Sequence, residues 1–156
     1  MKQILLSTAM LIATAGAASA DWRSERTSVG PNGVTSNATT SVTRDGNTRT
    51  TVTEVLRDNG TGYTREVIQT WDPETKSWTR TVVGKTAGGN TWINNGSGSC
   101  SGGACNSQSV FSGSGGRVIE SQSSSTINRD GGQRKWSWNS NAGNSGEGQR
   151  IWQRLR

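Results

Sequence analysis

The sequence contains no histidine, and it has only one tyrosine, one phenylalanine and two prolines among 156 residues. Without histidine the chain lacks the most common general base and the most common neutral metal ligand of proteins. A Ser-His-Asp triad and a Cys-His pair are therefore excluded, and two cysteines alone make a poor zinc site. From this inventory we predict a protein that is not an enzyme and that holds no catalytic residues, no metal ion and no other cofactor.

Large aliphatic side chains are also scarce. Leucine, isoleucine, valine and phenylalanine account for 18 of the 136 residues from Asp21 onward, a share at which disorder becomes common. However, the net charge of +6 is modest and there are seven tryptophans, whereas disordered chains carry few aromatic residues. The remaining apolar residues are mostly β-branched or aromatic and alternate with threonine, which is typical of half-exposed strands. We therefore predict an all-β protein.

The first twenty residues have the pattern of a signal peptide. Lys2 provides a charged start, residues 4–17 form a short apolar stretch, and residues 18–20 are the small residues Ala-Ser-Ala. Such a segment is removed on export, and no later apolar run is long enough to be a transmembrane segment. We expect a signal peptide at 1–20, an N-terminal extension at 21–34, and a protein that is secreted or periplasmic, or held at the cell surface.

Turn-forming residues divide the next stretch into strands. They lie at 45–47, 58–61 and 72–76, and this spacing predicts a four-stranded antiparallel meander over 35–84. With loops of three, four and six residues, alternation places one largely apolar set on a single face: Ala38, Val42, Val52, Leu56, Tyr63, Val67, Trp71, Trp78 and Val82. The opposite face is then polar, with Thr39, Ser41, Thr43, Arg49, Thr51, Thr53, Glu66, Thr70 and Thr79. This register also pairs Glu54 with Arg65 and Trp71 with Trp78.

The composition changes after the meander. Residues 85–116 are rich in glycine, serine and asparagine, and we predict a long loop there. Cys100 and Cys105 lie within it, and in an oxidising compartment they are close enough in sequence to form a local disulfide. Residues 117–156 resume an alternating pattern and predict a C-terminal group of two or three strands.

The C-terminal strands combine arginine with tryptophan. Arg134, Trp136 and Trp138 share one face of a strand, and Arg150, Trp152, Arg154 and Arg156 share one face of the next. If the strands pair, guanidinium groups stack on indoles in an alternating ladder, which either braces a small core or forms a platform for an acidic glycan or a nucleic-acid backbone. The candidate ligand-binding residues are Arg134, Trp136, Trp138, Arg150, Trp152 and Arg154.

The overall charge also favours an anionic partner. The chain has 17 basic and 11 acidic residues and a pI near 10.2, which suits a polyanion such as an acidic polysaccharide. Nucleic acid is less well supported, because the sequence contains no block of five or more lysines and arginines.

Three functions follow from these features. The first is an exported, non-enzymatic protein of the bacterial envelope or extracellular matrix, with a structural or adhesive role and self-association through strand edges. The second is a monomeric binding module for an acidic glycan or another polyanion. The third is a small secreted hydrolase that uses Glu54 or Glu120.

Overall fold

A computed structural model describes residues 21–153, which form one antiparallel sheet of ten strands. The strands are β1 (Trp22–Val29), β2 (Thr35–Asp45), β3 (Thr48–Arg57), β4 (Gly62–Asp72), β5 (Ser77–Thr86), β6 (Thr91–Ser101), β7 (Ala104–Gly113), β8 (Val118–Asn128), β9 (Gly131–Ser140) and β10 (Ser145–Gln153). Each strand pairs only with its neighbours in sequence, so the sheet is a meander with β1 and β10 at its edges. The predicted all-β class is confirmed. The predicted signal peptide lies outside the described residues.

The strand count differs from the prediction. The four-stranded meander corresponds to β2–β5 and the C-terminal group to β8–β10, but β1, β6 and β7 were not predicted. Residues 85–116 are therefore not a long loop, since most of them lie in β6 and β7. Glycine, serine and asparagine disfavour strands in isolation, yet β6 and β7 have a hydrogen-bonded partner on both sides. Pairing with two neighbours outweighs the weak β propensity of these residues.

Five hairpins share one loop geometry. In each, the residue before a three-residue loop donates its N–H to the carbonyl after the loop at 2.8–2.9 Å, and the last loop residue donates back at 2.9–3.0 Å. That last residue is always a glycine with φ between 75° and 85°, the left-handed conformation that glycine adopts readily. The five glycines are Gly33, Gly60, Gly89, Gly116 and Gly143. They recur every 27 or 29 residues, so the sheet is a repeat of hairpins, which sequence analysis missed among 21 glycines.

Neighbouring loops of this kind are also joined to one another. In three of the five loops, the side chain of the first loop residue accepts the N–H of the residue that begins the preceding even-numbered strand: Asp58 accepts from Thr35 at 2.9 Å, Ser114 from Thr91 at 3.2 Å and Asn141 from Val118 at 3.0 Å. Their backbone N–H groups donate to the carbonyls of the same three partners. In a fourth loop, Ala87 has no such side chain, and its backbone N–H donates to the carbonyl of Gly62. Each hairpin is thus fastened to the one before it.

The first loop is different because no described hairpin precedes it. Pro31 occupies the position of Asp58, Ser114 and Asn141, and proline has no N–H to leave unpaired. The adjacent edge strand β1 carries Arg23, Glu25 and Arg26. Proline and charged side chains at a sheet edge discourage pairing with another chain, so β1 is a protected edge.

The register of β3 corrects the predicted faces. The turn between β2 and β3 has two residues rather than three, and the loop between β3 and β4 has three rather than four. The first difference moves every residue of β3 to the opposite face from the predicted one. The second difference reverses the face again, so the residues of β4 and β5 lie on the predicted faces. Val52, Glu54 and Leu56 therefore leave the predicted face, whereas Arg49, Thr51, Thr53 and Val55 join it. Glu54 pairs with Thr64, so the predicted Glu54–Arg65 pair does not form, but Trp71 does pair with Trp78.

The core is a small patch on one face of the sheet. Val42, Val55, Val67 and Val82 are the buried hydrophobic residues among 21–153, and all four lie on β2–β5. The register places Val67 directly opposite Val82, and it places Thr51 between Val42 and Val67. No second layer covers this patch in the described chain, so the valines are buried by their in-sheet neighbours.

Candidate functional site

The two faces of the sheet differ sharply in their side chains. Directly paired residues of antiparallel strands project from the same face, and successive residues alternate, so the register assigns every strand residue to a face. All seven tryptophans, the tyrosine and the phenylalanine lie on the face that also holds the buried valines. These aromatic residues are Trp22, Tyr63, Trp71, Trp78, Trp92, Phe111, Trp136, Trp138 and Trp152. We name this surface the arginine–tryptophan face.

The charges are divided in the same way. Eight arginines lie on the arginine–tryptophan face, namely Arg26, Arg44, Arg49, Arg57, Arg65, Arg80, Arg134 and Arg150. Within residues 21–153, every strand carboxylate lies on the other surface, the carboxylate face: Glu25, Asp45, Glu54, Glu66, Asp72, Glu120 and Glu147. The single ion pair among the described residues joins Arg23 and Glu25 at 2.8 Å on the carboxylate face. The described strands therefore provide no counter-charge for the eight arginines on their own surface.

Five tryptophans cover glycines on the neighbouring strand. A Cβ atom built on any of these glycines would stand only 1.9–2.7 Å from the indole ring, so the absence of a side chain is what allows each ring to lie there. The pairs are Trp78 with Gly98, Trp92 with Gly84, Trp136 with Gly148, Trp138 with Gly146, and Trp152 with Gly132. Aromatic side chains that cover glycines in this way stabilise weak strand segments.

Arg65 is half-buried, whereas the other seven arginines of this surface are exposed. It pairs across the strands with Gly84, the glycine that Trp92 covers, and Trp92 meets Tyr63 edge-on with ring centroids 6.4 Å apart. The Nε atom of Arg65 is buried and has no hydrogen-bond partner. A buried donor without a partner costs stability, so Arg65 is the least favourably solvated of the eight arginines.

The structure brings together most of the residues selected from the sequence. Arg134, Trp136, Trp138, Arg150 and Trp152 all lie on the arginine–tryptophan face of β9 and β10. Arg154 and Arg156 lie outside the described residues. The predicted alternating ladder is wrong, because Arg134 pairs with Arg150 and each tryptophan pairs with a glycine.

A groove of 1010 Å³ crosses this face between β5 and β10. Trp78 and Arg80 of β5 line one side, and the five C-terminal residues, Arg134, Trp136, Trp138, Arg150 and Trp152, line the other. The floor consists of serines of β7 and β8, paired by hydroxyl hydrogen bonds between Ser107 and Ser123 and between Ser109 and Ser121, each 2.8 Å long. Sequence analysis missed Trp78 and Arg80 as site residues because their partners across the groove follow only from the pairing of β6 and β7.

The two carboxylates considered for a hydrolase lie far apart. Glu54 and Glu120 lie on the carboxylate face of β3 and β8, five strands and roughly 24 Å apart. Asp72 accepts the hydroxyl of Thr75 and the N–H groups of Thr75 and Glu74, and these bonds lower the pKa of its carboxyl below 3.8. Among the described residues, no group of three or more Cys, Asp or Glu side chains is placed to hold a metal ion.

The predicted disulfide is confirmed. Cys100 and Cys105 are bonded, with their Cα atoms 4.1 Å apart, across the two-residue turn Gly102-Gly103 that joins β6 and β7. Both cysteines lie on the arginine–tryptophan face, and Cys105 is two residues along β7 from the groove residue Ser107. The bond closes the hairpin that carries part of the groove floor.

The chemistry of the site comes from its arginines and indoles. Guanidinium groups donate forked hydrogen bonds to anionic oxygens, and exposed indole faces stack on planar or apolar ring surfaces. No protein-family model, curated protein or solved structure matches this chain. Within residues 21–153, no helix is long and apolar enough to cross a membrane.

Proposed function

We propose that this protein is an exported, non-enzymatic binding module that holds an acidic polymer on its arginine–tryptophan face. One observation carries the proposal: eight arginines and every aromatic residue of the chain share a surface on which the described strands place no carboxylate. On β9 and β10, this surface includes five of the six residues that the sequence suggests for ligand binding.

Charge segregation across a single sheet has a direct electrostatic consequence. Where arginines and carboxylates are interspersed, their opposite potentials largely cancel in water. Where arginines share a face without carboxylates, their potentials add and attract anions. Arg44, Arg49 and Arg80 lie in one row across β2–β5 with only Gln69 between them. Like charges side by side destabilise a sheet, so their placement favours a role in which an anion neutralises them.

A structural, self-associating role is the second candidate. It rests on β10, whose outer edge has no partner strand among the described residues. The opposite edge, β1, is protected by Pro31 and by three charged side chains. Growth of a fibre by repeated edge pairing needs two receptive edges, and for this reason binding ranks above assembly.

The binding proposal is tested with two charge-matched variants of the chain 21–156. Arg80→Gln with Arg150→Gln removes two cations from the arginine–tryptophan face, and Lys85→Gln with Lys135→Gln removes two from the carboxylate face. Binding to heparin, a densely charged acidic polysaccharide, is measured by tryptophan fluorescence over a range of salt concentrations. We expect the first variant to lose on the order of tenfold in affinity, with a shallower salt dependence, and the second to change little.

Equal losses of heparin affinity in the two variants would mean that only the overall positive charge matters. That result would overturn the assignment of binding to the arginine–tryptophan face. Sedimentation velocity of the unmodified chain separates the second candidate, because concentration-dependent growth without ligand indicates assembly. A monomer that sediments faster only with heparin at low salt supports the binding module.

A further inference from the structure

The arginines of the arginine–tryptophan face form two groups with an uncharged span between them. Six lie on β1–β5 and two, Arg134 and Arg150, on β9 and β10. Strands β6, β7 and β8 place no charged side chain on this face, and residues 86–116 contain no charged residue at all. A ligand that contacts both groups must therefore cross a neutral stretch.

Two straight rows of residues cross the strands between the two groups, and Arg134 and Arg150 pair in the adjacent row, next to that of Trp136. One row runs from Trp78 through Gly98, Ser107 and Ser123 to Trp136, and the next runs from Arg80 through Gly96, Ser109 and Ser121 to Trp138. Both rows have small residues in the middle and large ones at the ends. The four strand steps from β5 to β9 span roughly 19 Å at the usual strand spacing.

The floor of the groove is polar but neutral. Each serine hydroxyl has one donor and two acceptor positions, and the pairs Ser107–Ser123 and Ser109–Ser121 use only one donor per pair. The remaining donors and acceptors suit hydroxyl-bearing rings. The indoles of Trp78 and Trp136 stand at opposite ends of the floor and suit the apolar faces of such rings.

From this charge pattern we infer that the groove binds a linear acidic polysaccharide whose negative charges are separated by neutral sugars. The polymer crosses the strands from β5 to β10, with neutral sugars over the serines and anionic groups at Arg80 on one side and at Arg134 and Arg150 on the other. This inference rests on the proposed function and names the class of polymer that the same face selects.

Uniformly charged polymers fit the groove less well. A nucleic-acid strand carries one charge per roughly 3.4 Å, so about five phosphates would lie over the 19 Å span that holds no cation. Each of those phosphates would lose part of its hydration without gaining a cationic partner. Proteins that bind single strands without sequence preference instead line the whole path with positive charge.

The test compares polymers of different charge spacing on the chain 21–156. The probes are hyaluronan oligosaccharides, with a carboxylate on every second sugar, polygalacturonate oligosaccharides of equal length, with one on every sugar, and oligodeoxythymidylate. We expect hyaluronan to bind at least tenfold more tightly than either of the others at physiological salt. Equal or tighter binding of polygalacturonate or oligodeoxythymidylate would overturn the inference while leaving the proposed function intact. Failure of all three and of heparin would overturn both.

A matched pair of variants tests the neutral floor directly. Ser121→Lys adds a cation to the floor, whereas Thr126→Lys adds the same charge to the carboxylate face of β8, outside the groove. We expect Ser121→Lys to raise the affinity for polygalacturonate by about tenfold, and Thr126→Lys to raise it by no more than about twofold. Near-UV circular dichroism checks that both variants are folded. An equal rise in the two variants would show that the polymer does not lie over the floor.

Discussion

The first and second halves of the sheet are stabilised in different ways. Strands β2–β5 are rich in threonine and valine and contain all four buried valines. Strands β6–β10 contain no buried side chain, but all five tryptophan–glycine contacts have one or both partners there, and three of them lie wholly within β9 and β10. A single-layer sheet can therefore be held either by apolar side chains packed within a face or by indoles that cover bare backbone.

This difference also explains where the groove lies. In β2–β5 the arginine–tryptophan face is mostly filled by valine, threonine and arginine side chains, and Gly84 is its one glycine. In the two groove rows of β6–β9, glycine and serine occupy β6, β7 and β8, and tryptophan occupies β9. The groove lies over these small residues, so the stabilising device of the second half also shapes the candidate site.

Truncation of a core valine is expected to have the largest effect. Val67→Ala removes a buried side chain at the centre of the patch and should lower the free energy of unfolding by roughly 1.5–3 kcal/mol. The neighbouring Ile68 is 39% exposed on the carboxylate face, so Ile68→Ala is the matched control and should cost less. Urea denaturation measures both, and equal losses would contradict the patch as the core of the first half.

The tryptophan–glycine contacts of the second half are tested by filling one glycine. A Cβ at Gly148 would stand 2.3 Å from the Trp136 ring, so Gly148→Val must displace the indole, at a cost of about 1–3 kcal/mol. Fluorescence should shift to longer wavelength as the ring becomes solvated. Gly115→Ala is the control, since no heavy atom lies within 4 Å of its added Cβ, and it should leave stability and spectrum unchanged. A Gly148→Val protein as stable as the control would show that the ring contributes nothing.

Loss of the disulfide should affect the second half alone. Cys100 and Cys105 close a ring of only a few residues, for which the loop-entropy estimate is at most about 2 kcal/mol. In the double variant Cys100→Ser with Cys105→Ser, hydrogen exchange should accelerate in β6 and β7, with little change in β2–β5. Uniform acceleration over all ten strands would instead mean that the two halves unfold as one unit.

The smallest effect concerns the turn between β4 and β5. Hydrogen bonds from Thr75 and Glu74 lower the pKa of the Asp72 carboxyl in the folded state below 3.8. A depressed folded-state pKa contributes stability that is present above the unfolded value and is lost as the pH falls through the folded value. Asp72→Asn should therefore be less stable than the unmodified protein at pH 7, and the difference should shrink below about pH 3.8. A difference that stays constant with pH would exclude the carboxylate as its source.

Several features of the fold could be predicted from local sequence. Alternating β-branched residues indicate strands wherever they occur, which yields the all-β class, β2–β5 and β8–β10. The short spacing of Cys100 and Cys105 allows their disulfide without any knowledge of the rest of the chain. The pairing of Trp71 with Trp78 was predicted correctly. The predicted loop of six residues and the observed loop of four differ by one residue at each end, so both place these two tryptophans opposite each other.

The candidate site was only partly predictable. Arg134, Trp136 and Trp138 lie on one strand, and alternation alone puts them on one face. The pairing of Trp136 and Trp138 with glycines of β10, rather than with Arg150 and Trp152, depends on the loop that joins β9 to β10. One residue more or less in that loop would reverse the face of the whole strand.

The strand-forming composition, the local disulfide and the lack of histidine chemistry can be read from residue types and short spacings alone. The segregation of arginine and tryptophan from the carboxylates cannot, because it depends on the parity of all nine strand connections together and so becomes visible only in the folded sheet. That β6 and β7 are strands also follows only from the folded sheet, since their weak propensity is outweighed by partners on both sides. The groove depends on both levels. Its glycines and serines are visible in the sequence, but their alignment between the tryptophans of β5 and β9 follows only from the strand register.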